Sequence, residues 1–312
     1  MPTKGRGNFF FRLRLFVLAV LLLSQTFAQA GTTIYIYNAP ESDSDVRYRY
    51  HWEILNEALK KTEKKYGAYK MMPSIRMTET RQTEELMAGS GLINVMYLGT
   101  TQELEKKLVP VRIPVDKNLG GYNVFLIRKE DAGRFRSVRS LDDLRQFSYG
   151  LGRGWVDVGI LESNKFKVVT GSDYDGLFKM LESRRFDIFL RAAVEVLDEV
   201  AQREKTMPAL YIEDSIILYY PLPMYFWFSR NEKGRALAAR VEEGMRKMIA
   251  DGSYDRIFEK HQRQKIEKLH LRTRQIFKLE NPFLVPETPF SEKNLWYDPF
   301  DDNKAGRPKR GS

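Results

Sequence analysis

Apolar positions recur along this chain with two periods, one fit for strands and one for helices. Thr32-Thr33-Ile34-Tyr35-Ile36-Tyr37 is β-branched and aromatic throughout, which predicts a buried strand ending at Asn38-Ala39-Pro40. From Val46 to about Lys65, Trp52, Leu55 and Leu59 fall at i, i+3 and i+7, the spacing of an amphipathic helix that Gly67 stops. A strand is expected at Ser74 to Met77, a helix over Glu79 to Met87, and a strand over Leu92 to Tyr97 with Gly99-Thr100-Thr101 just past its end.

The glycine pair in Asn118-Leu119-Gly120-Gly121 is a candidate hinge, because a new strand, Tyr122 to Ile127, comes directly after it. Ser140-Leu141-Asp142-Asp143 carries a helix start. Then come a strand at Phe147 to Leu151, the turn Gly150-Leu151-Gly152-Arg153-Gly154, a short helix from about Val156 and a strand at Phe166 to Val169. A helix with Leu177, Met180 and Leu181 on one face runs into a strand at Phe186 to Leu190. The six aromatics in Ile216 to Phe228 read as a core strand, with helices after it near Glu232 to Ala250 and Tyr254 to Gln264. This alternation predicts an α/β fold of mostly parallel sheets with helices on both faces.

Composition narrows the class. With 43% hydrophobic and 29% charged residues in 312, the chain is expected to fold as a globule. Lys4, Arg6, Arg12 and Arg14, then Leu15 to Leu23, then Ala28-Gln29-Ala30 have the order of a secretory signal peptide over residues 1–30. The apolar run is well short of the ~20 residues that cross a bilayer, so the expected location is the periplasm. Four of the basic residues behind the net charge of +10 lie in that leader, which weakens nucleic acid as a partner. The chain holds no Cys, so disulfides, thiolate chemistry and Cys-bound metal are excluded. Beyond the leader, the chain is long enough for two lobes of roughly 100 to 150 residues.

Candidate chemistry is sparse. The three histidines, His51, His261 and His270, show no metal-ligand spacing, and no nucleophile elbow, His-Glu-x-x-His pair or phosphate loop occurs. No catalytic residue, metal or cofactor is expected. Gly150-x-Gly152-x-Gly154 falls one residue short of the dinucleotide fingerprint, although Asp173 stands about 20 residues on. The same turn offers backbone N–H groups at a helix start beside Arg153 and Trp155, a receptor for an anion. Thr100 and Thr101 sit at a strand's carboxyl end, where open α/β sheets bind ligands.

Taken in order, several segments resemble the periplasmic solute-binding proteins of family three. They are Leu86-Met87-Ala88-Gly89 before Gly99-Thr100-Thr101, Ser140-Leu141-Asp142-Asp143-Leu144 before the Gly-x-Gly turn, Arg185-Phe186-Asp187, and Met248-Ile249-Ala250-Asp251-Gly252-Ser253. The likeness covers about Thr32 to His261. It implies a two-lobed type II periplasmic-binding fold joined by two hinge strands, with a ligand trapped by hinge closure. Residues 31–120 and 218–275 would form lobe one, 121–217 lobe two, and 276–312 an extended Pro and aromatic tail with a disordered end from Asp301.

The resemblance also implies sites. Amino-acid-binding members grip the ligand carboxylate with an Arg three residues after the Thr and the amine with an Asp; those positions hold Leu104 and Ala192 here. Arg191 stands beside the second. Arg153 and Arg191 therefore favour an anionic or zwitterionic solute, with an Arg191–Glu195 ion pair as the equal alternative. Asn38, Glu41, Arg47, Thr100, Thr101, Arg153, Trp155 and Arg191 are the expected ligand contacts. Replacing Arg191 with Ala is expected to abolish ligand-induced stabilisation and to change unliganded stability little. The implied protein is a non-enzymatic monomer that serves an inner-membrane ABC permease or a sensor. The alternatives are an exported enzyme of dehydratase or lyase type, with Glu41 or Asp157 as its acid, and an interaction module whose cleft is filled by its own side chains.

Overall fold

Strand β1 (Thr33–Tyr37) runs parallel to β2 (Tyr69–Pro73) in the computed structural model, which describes residues 31–301. A parallel bridge from Tyr37 to Val95 continues this pair toward β3 (Met96–Gly99). β3 and β4 (Leu108–Val111) both pair antiparallel with β11 (Met224–Ser229). Together these strands form the sheet of the first lobe. β2 forms five residues earlier than the strand expected at Ser74 to Met77. The strand expected from Leu92 begins only at Met96, because the Asn94 side chain takes over the ladder: its Oδ1 accepts from Ile36 N–H (2.8 Å) and its Nδ2 donates to the Ile34 carbonyl (2.9 Å).

The helices Arg49–Tyr66 and Glu232–Ala250 cross over this sheet, burying Ile54, Leu55, Ala58 and Leu59 against Val241, Met245 and Met248. A Cβ on Gly244 would lie 2.1 Å from the Ala58 carbonyl oxygen, so the two backbones touch there. Gly244→Ala is expected to lower the unfolding free energy by about 1–3 kcal/mol through overpacking, read as a fall in the urea midpoint. An unchanged midpoint would show that the helices can part at no cost.

The second lobe is built on β5 (Tyr122–Arg128), buried over all seven residues. Its sheet also holds β6 (Ser148–Gly152), β7 (Lys167–Gly171), β8 (Ile188–Ala192), β9 (Leu210–Ile212), β10 (Ile216–Tyr219) and β12 (Gln275–Lys278), in the order β12-β10-β5-β8-β6-β7 with β9 on β5. The β6–β7, β6–β8 and β10–β12 ladders are parallel. Around β5, as around β11, the pairing is antiparallel, so both sheets are mixed.

Two crossings join the lobes. The aromatic run expected as one strand from Ile216 to Phe228 divides into β10 in the second sheet and β11 in the first, with Tyr220-Pro221-Leu222-Pro223 passing between. Proline has no N–H for a ladder, which is why pairing lapses there. The other crossing is the candidate hinge. A Cβ on Gly121 would meet the Tyr220 carbonyl at 2.4 Å, and Leu222 N–H donates to Asn118 Oδ1 at 2.9 Å, so the two crossings are clasped together. Asp116 accepts from Gly120 N–H at 2.8 Å and braces the glycine turn.

After β12 the chain lies across both lobes: Asn281 Nδ2 donates to the Pro221 carbonyl (2.9 Å), and Tyr297 N–H to that of Lys117 (2.8 Å). The signal peptide expected over 1–30 lies outside the described residues, as does the disordered end apart from Asp301. Among the described residues no helix is long and apolar enough to cross a membrane.

Candidate functional site

Glycine spacing on β6 sets up the centre of the site. A Cβ on Gly150 would meet the Phe186 ring at 2.1 Å, and one on Gly152 the Trp155 ring at 2.3 Å. The glycines let two aromatic rings lie flat on a strand, and Gly154 takes the left-handed turn (φ 88°) that brings Trp155 back over it. Packing thus accounts for the pattern that resembled a dinucleotide fingerprint.

Trp155 stands at a cavity of about 70 Å³ between the lobes, room for roughly five waters. The first lobe contributes Arg47, Tyr48, Glu79, Tyr97 and Gly99 to its wall. The second contributes Asn123, Asp157, Arg191, Ala192 and Glu195. Side chains bridge the gap beside it: Ser44 Oγ donates to Asp175 Oδ1 (2.6 Å), Arg203 donates to both, and Lys265 Nζ donates to the Val194 carbonyl (2.7 Å).

Both arginines in this wall are already engaged. Arg47 donates through Nε and Nη2 to Asp45 (2.8 and 2.9 Å) and through Nη2 to Glu41 (2.8 Å). Arg191 donates to Glu199 at 2.6 and 2.8 Å and to Glu195 at 2.5 Å, and Tyr174 O–H also donates to Glu199 (2.7 Å). Their guanidinium carbons lie 5.6 and 4.9 Å from the Trp155 ring centroid. Burial alone would raise Glu199, but the charge and hydrogen bonds of Arg191 outweigh it and hold that carboxyl below its ordinary range. Glu195 goes the other way: burial lifts it to about 7 against the pull of Arg191.

Two further acids have no ion pair among the described residues. Glu79, the first residue of the helix Glu79–Ala88, is pushed up to about 8 by burial; Arg47 opposes the shift, and Glu41, Asp157 and Glu195 add to it. Asp157 accepts a hydrogen bond from the Tyr220 hydroxyl and is raised by burial. Glu41 and Asp45 hold one guanidinium, Glu195 and Glu199 the other, and Glu79 and Asp157 are left over, so acids outnumber guanidiniums.

Of the expected contacts, the structure brings Arg47, Trp155 and Arg191 together at the cavity. Glu41 and Arg153 line a smaller pocket beside it, together with Thr78, Glu79 and Gly152. Asn38 is buried beneath β3, its Oδ1 accepting from Tyr97 N–H (3.4 Å). Thr100 is buried and hydrogen-bonded to Glu105 (3.2 Å), while Thr101 caps the helix Gln102–Lys107 by accepting from Leu104 N–H (3.1 Å). Arg153 is exposed, and its backbone bonds to Gly171 and Thr80. Gly99, rather than Thr100, is the residue of that turn facing the cavity. Sequence reasoning passed over Glu79 and Asn123, and named Glu195 only as an ion-pair partner of Arg191, a pair the structure forms. An acid in the first turn of a helix is favoured by the helix dipole alone, so Glu79 carried no distinguishing signal.

No family model matches the sequence, and no curated protein does. Solved structures do match. An ancestral arginine-binding protein bound to arginine is 20% identical over 74% of this chain and 98% of its own, with a TM-score of 0.53. An ancestral amino-acid-binding protein described as a precursor of cyclohexadienyl dehydratase is 17% identical over 75% and 96%, with a TM-score of 0.53. A histidine kinase sensor domain with similarity to periplasmic binding proteins is 14% identical over 74% and 96%, with a TM-score of 0.53. The chain thus has the two-lobed periplasmic-binding fold.

Proposed function

We propose that this protein is an exported solute-binding protein of the periplasm, which captures a small polar solute between its lobes by hinge closure and presents it to a transporter or a sensor. The observation that carries this reading is a cavity walled by residues from both lobes, Tyr97 and Glu79 on one side and Asn123 and Asp157 on the other, beside a hinge made of two clasped crossings. Capture works if the solute makes more contacts in the closed arrangement than in the open one, because only that difference shifts the equilibrium. Structures of the same fold described as arginine-binding, or as a sensor domain, support the class of activity and leave the partner open.

A thermal-shift screen of the purified protein against amino acids, organic acids and amines tests this. A solute at about a hundred times its Kd is expected to add about 2.7 kcal/mol of stability, a rise of several degrees in Tm, with a smaller radius of gyration in solution scattering. If no solute raises Tm, the capture reading falls.

One observation favours a second reading. Glu79 is a cleft carboxylate without an ion pair among the described residues and holds its proton near neutral pH, which suits a general acid in a dehydratase- or lyase-type reaction. Chemical change of a bound solute, followed by NMR, would decide for it.

A further inference from the structure

We propose that the cleft selects a small solute of net positive charge, whose cationic nitrogen is received by Glu79, Asp157 and Asn123. The inference rests on the capture reading and adds the class of solute and the residues that choose it.

An anion needs a cation with charge to spare. Arg47 and Arg191 each have two carboxylates within hydrogen-bond distance, on the same guanidinium edge, so the charge of each is cancelled before any solute enters. The remaining acids, Glu79 and Asp157, face the same cavity with no cation paired to either among the described residues. A carboxylate placed there would meet Asp157 and Glu79 with no unpaired cation to offset them, whereas an entering cation would favour loss of the Glu79 proton to solvent and pair with the carboxylate.

An independent observation points to the same kind of solute. Asn123 is only 3% exposed and spends its Nδ2 on the Gly121 carbonyl (3.2 Å), which leaves its Oδ1 at the cavity wall without a partner among the described residues. An amide oxygen open to the cavity accepts from whatever donor enters. Asp157 uses one oxygen on the Tyr220 hydroxyl and keeps the other, and Glu79 makes no hydrogen bond through its carboxylate among the described residues. Three acceptors are thus free at the wall, beside the Nη1 groups of two guanidiniums whose charge is already cancelled, and an ammonium offers three donors and no acceptor. Tyr48, Tyr97 and the Trp155 ring supply apolar wall for a short carbon chain.

Titration calorimetry at pH 7.5 with putrescine and ethanolamine as cations, L-alanine as a zwitterion, and succinate and L-glutamate as anions tests the inference on the purified protein. At least one cation is expected to bind at least a hundredfold more tightly than alanine, succinate or glutamate. Glu79→Gln and Asp157→Asn are each expected to weaken it at least tenfold, with circular dichroism and unliganded Tm confirming that both variants fold. An anion or alanine binding as tightly as the cations would overturn the charge selection and leave capture standing, as would an unchanged affinity in both variants. Failure of every probe here, and of every solute in the wider screen, would remove both readings together.

Discussion

Arg191→Ala is expected to lower the unfolding free energy of the unliganded protein by about 3–5 kcal/mol, the usual effect of leaving a buried carboxylate without its partner. Arg191 is 3% exposed and Glu199 fully buried. Glu199 bonds the guanidinium through both oxygens, and Glu195 takes a third hydrogen bond from Nη2. Without the arginine these two carboxylates face each other, and burial then raises both. The pH dependence has a definite sign. Glu199 is held below its ordinary value in the folded protein, so its contribution is present above that value and is lost as pH falls. The deficit of the variant should therefore be larger at pH 7 than near pH 4, measured as the difference in urea unfolding free energy at the two values. Equal stability of variant and wild type at pH 7 would mean that the pair is not formed. This reverses the expectation of little change in unliganded stability, which treated Arg191 as a free ligand contact.

The second large effect concerns Glu79. Burial raises it to about 8, while the unfolded chain titrates near its ordinary value of 4.5. A group raised on folding stabilises fully below the unfolded value, and that contribution is lost as pH rises through the folded one. Unliganded stability should therefore fall between about pH 5 and 8. Glu195, raised to about 7, and Asp116, raised to about 6, act in the same direction within narrower windows. His51 opposes them: it is buried against Tyr97, and desolvation with the nearby Lys265 holds its pKa well below 6.5, so its contribution is lost as pH falls below that value. Glu79→Gln isolates one contribution. The variant should match wild type near pH 5 and exceed it by the order of 2–4 kcal/mol at pH 8, read from Tm across that range. Parallel curves would show that the carboxylate is solvated. The groups facing Glu79 are Arg47, Glu41, Tyr48, Asp157 and Glu195, so the difference reports on the cleft.

Both effects depend on burial, which also separates what could be read early from what could not. The helix Glu232–Ala250 was legible at both ends, because its apolar spacing is helical and Asn231 stands ready to cap Gly234 N–H (2.8 Å). The break between β10 and β11 was present in the prolines of Tyr220-Pro221-Leu222-Pro223, although the aromatics around them argued for one strand. β3 was misplaced because Asn94 pairs by its side chain with Ile34 and Ile36, sixty and fifty-eight residues away, a bond that no local pattern announces.

The site divides in the same way. Trp155, Arg47 and Arg191 were marked by residue type and by their place after strands or in the first loop, and all three line the cavity. That Arg191 is paired with Glu199 as well as Glu195 depends on how β8 meets the helix Val196–Arg203 and on the exclusion of water there. By itself the order of residues determined the alternation of strands and helices, since periodicity and caps act over a few residues, while the two-lobed arrangement came from the resemblance of its segments to a known family. Only the tertiary structure decided the charge of the cleft. A carboxylate or guanidinium has the same sequence signature whether paired or free, and only its three-dimensional neighbours settle whether its charge is cancelled, buried or available.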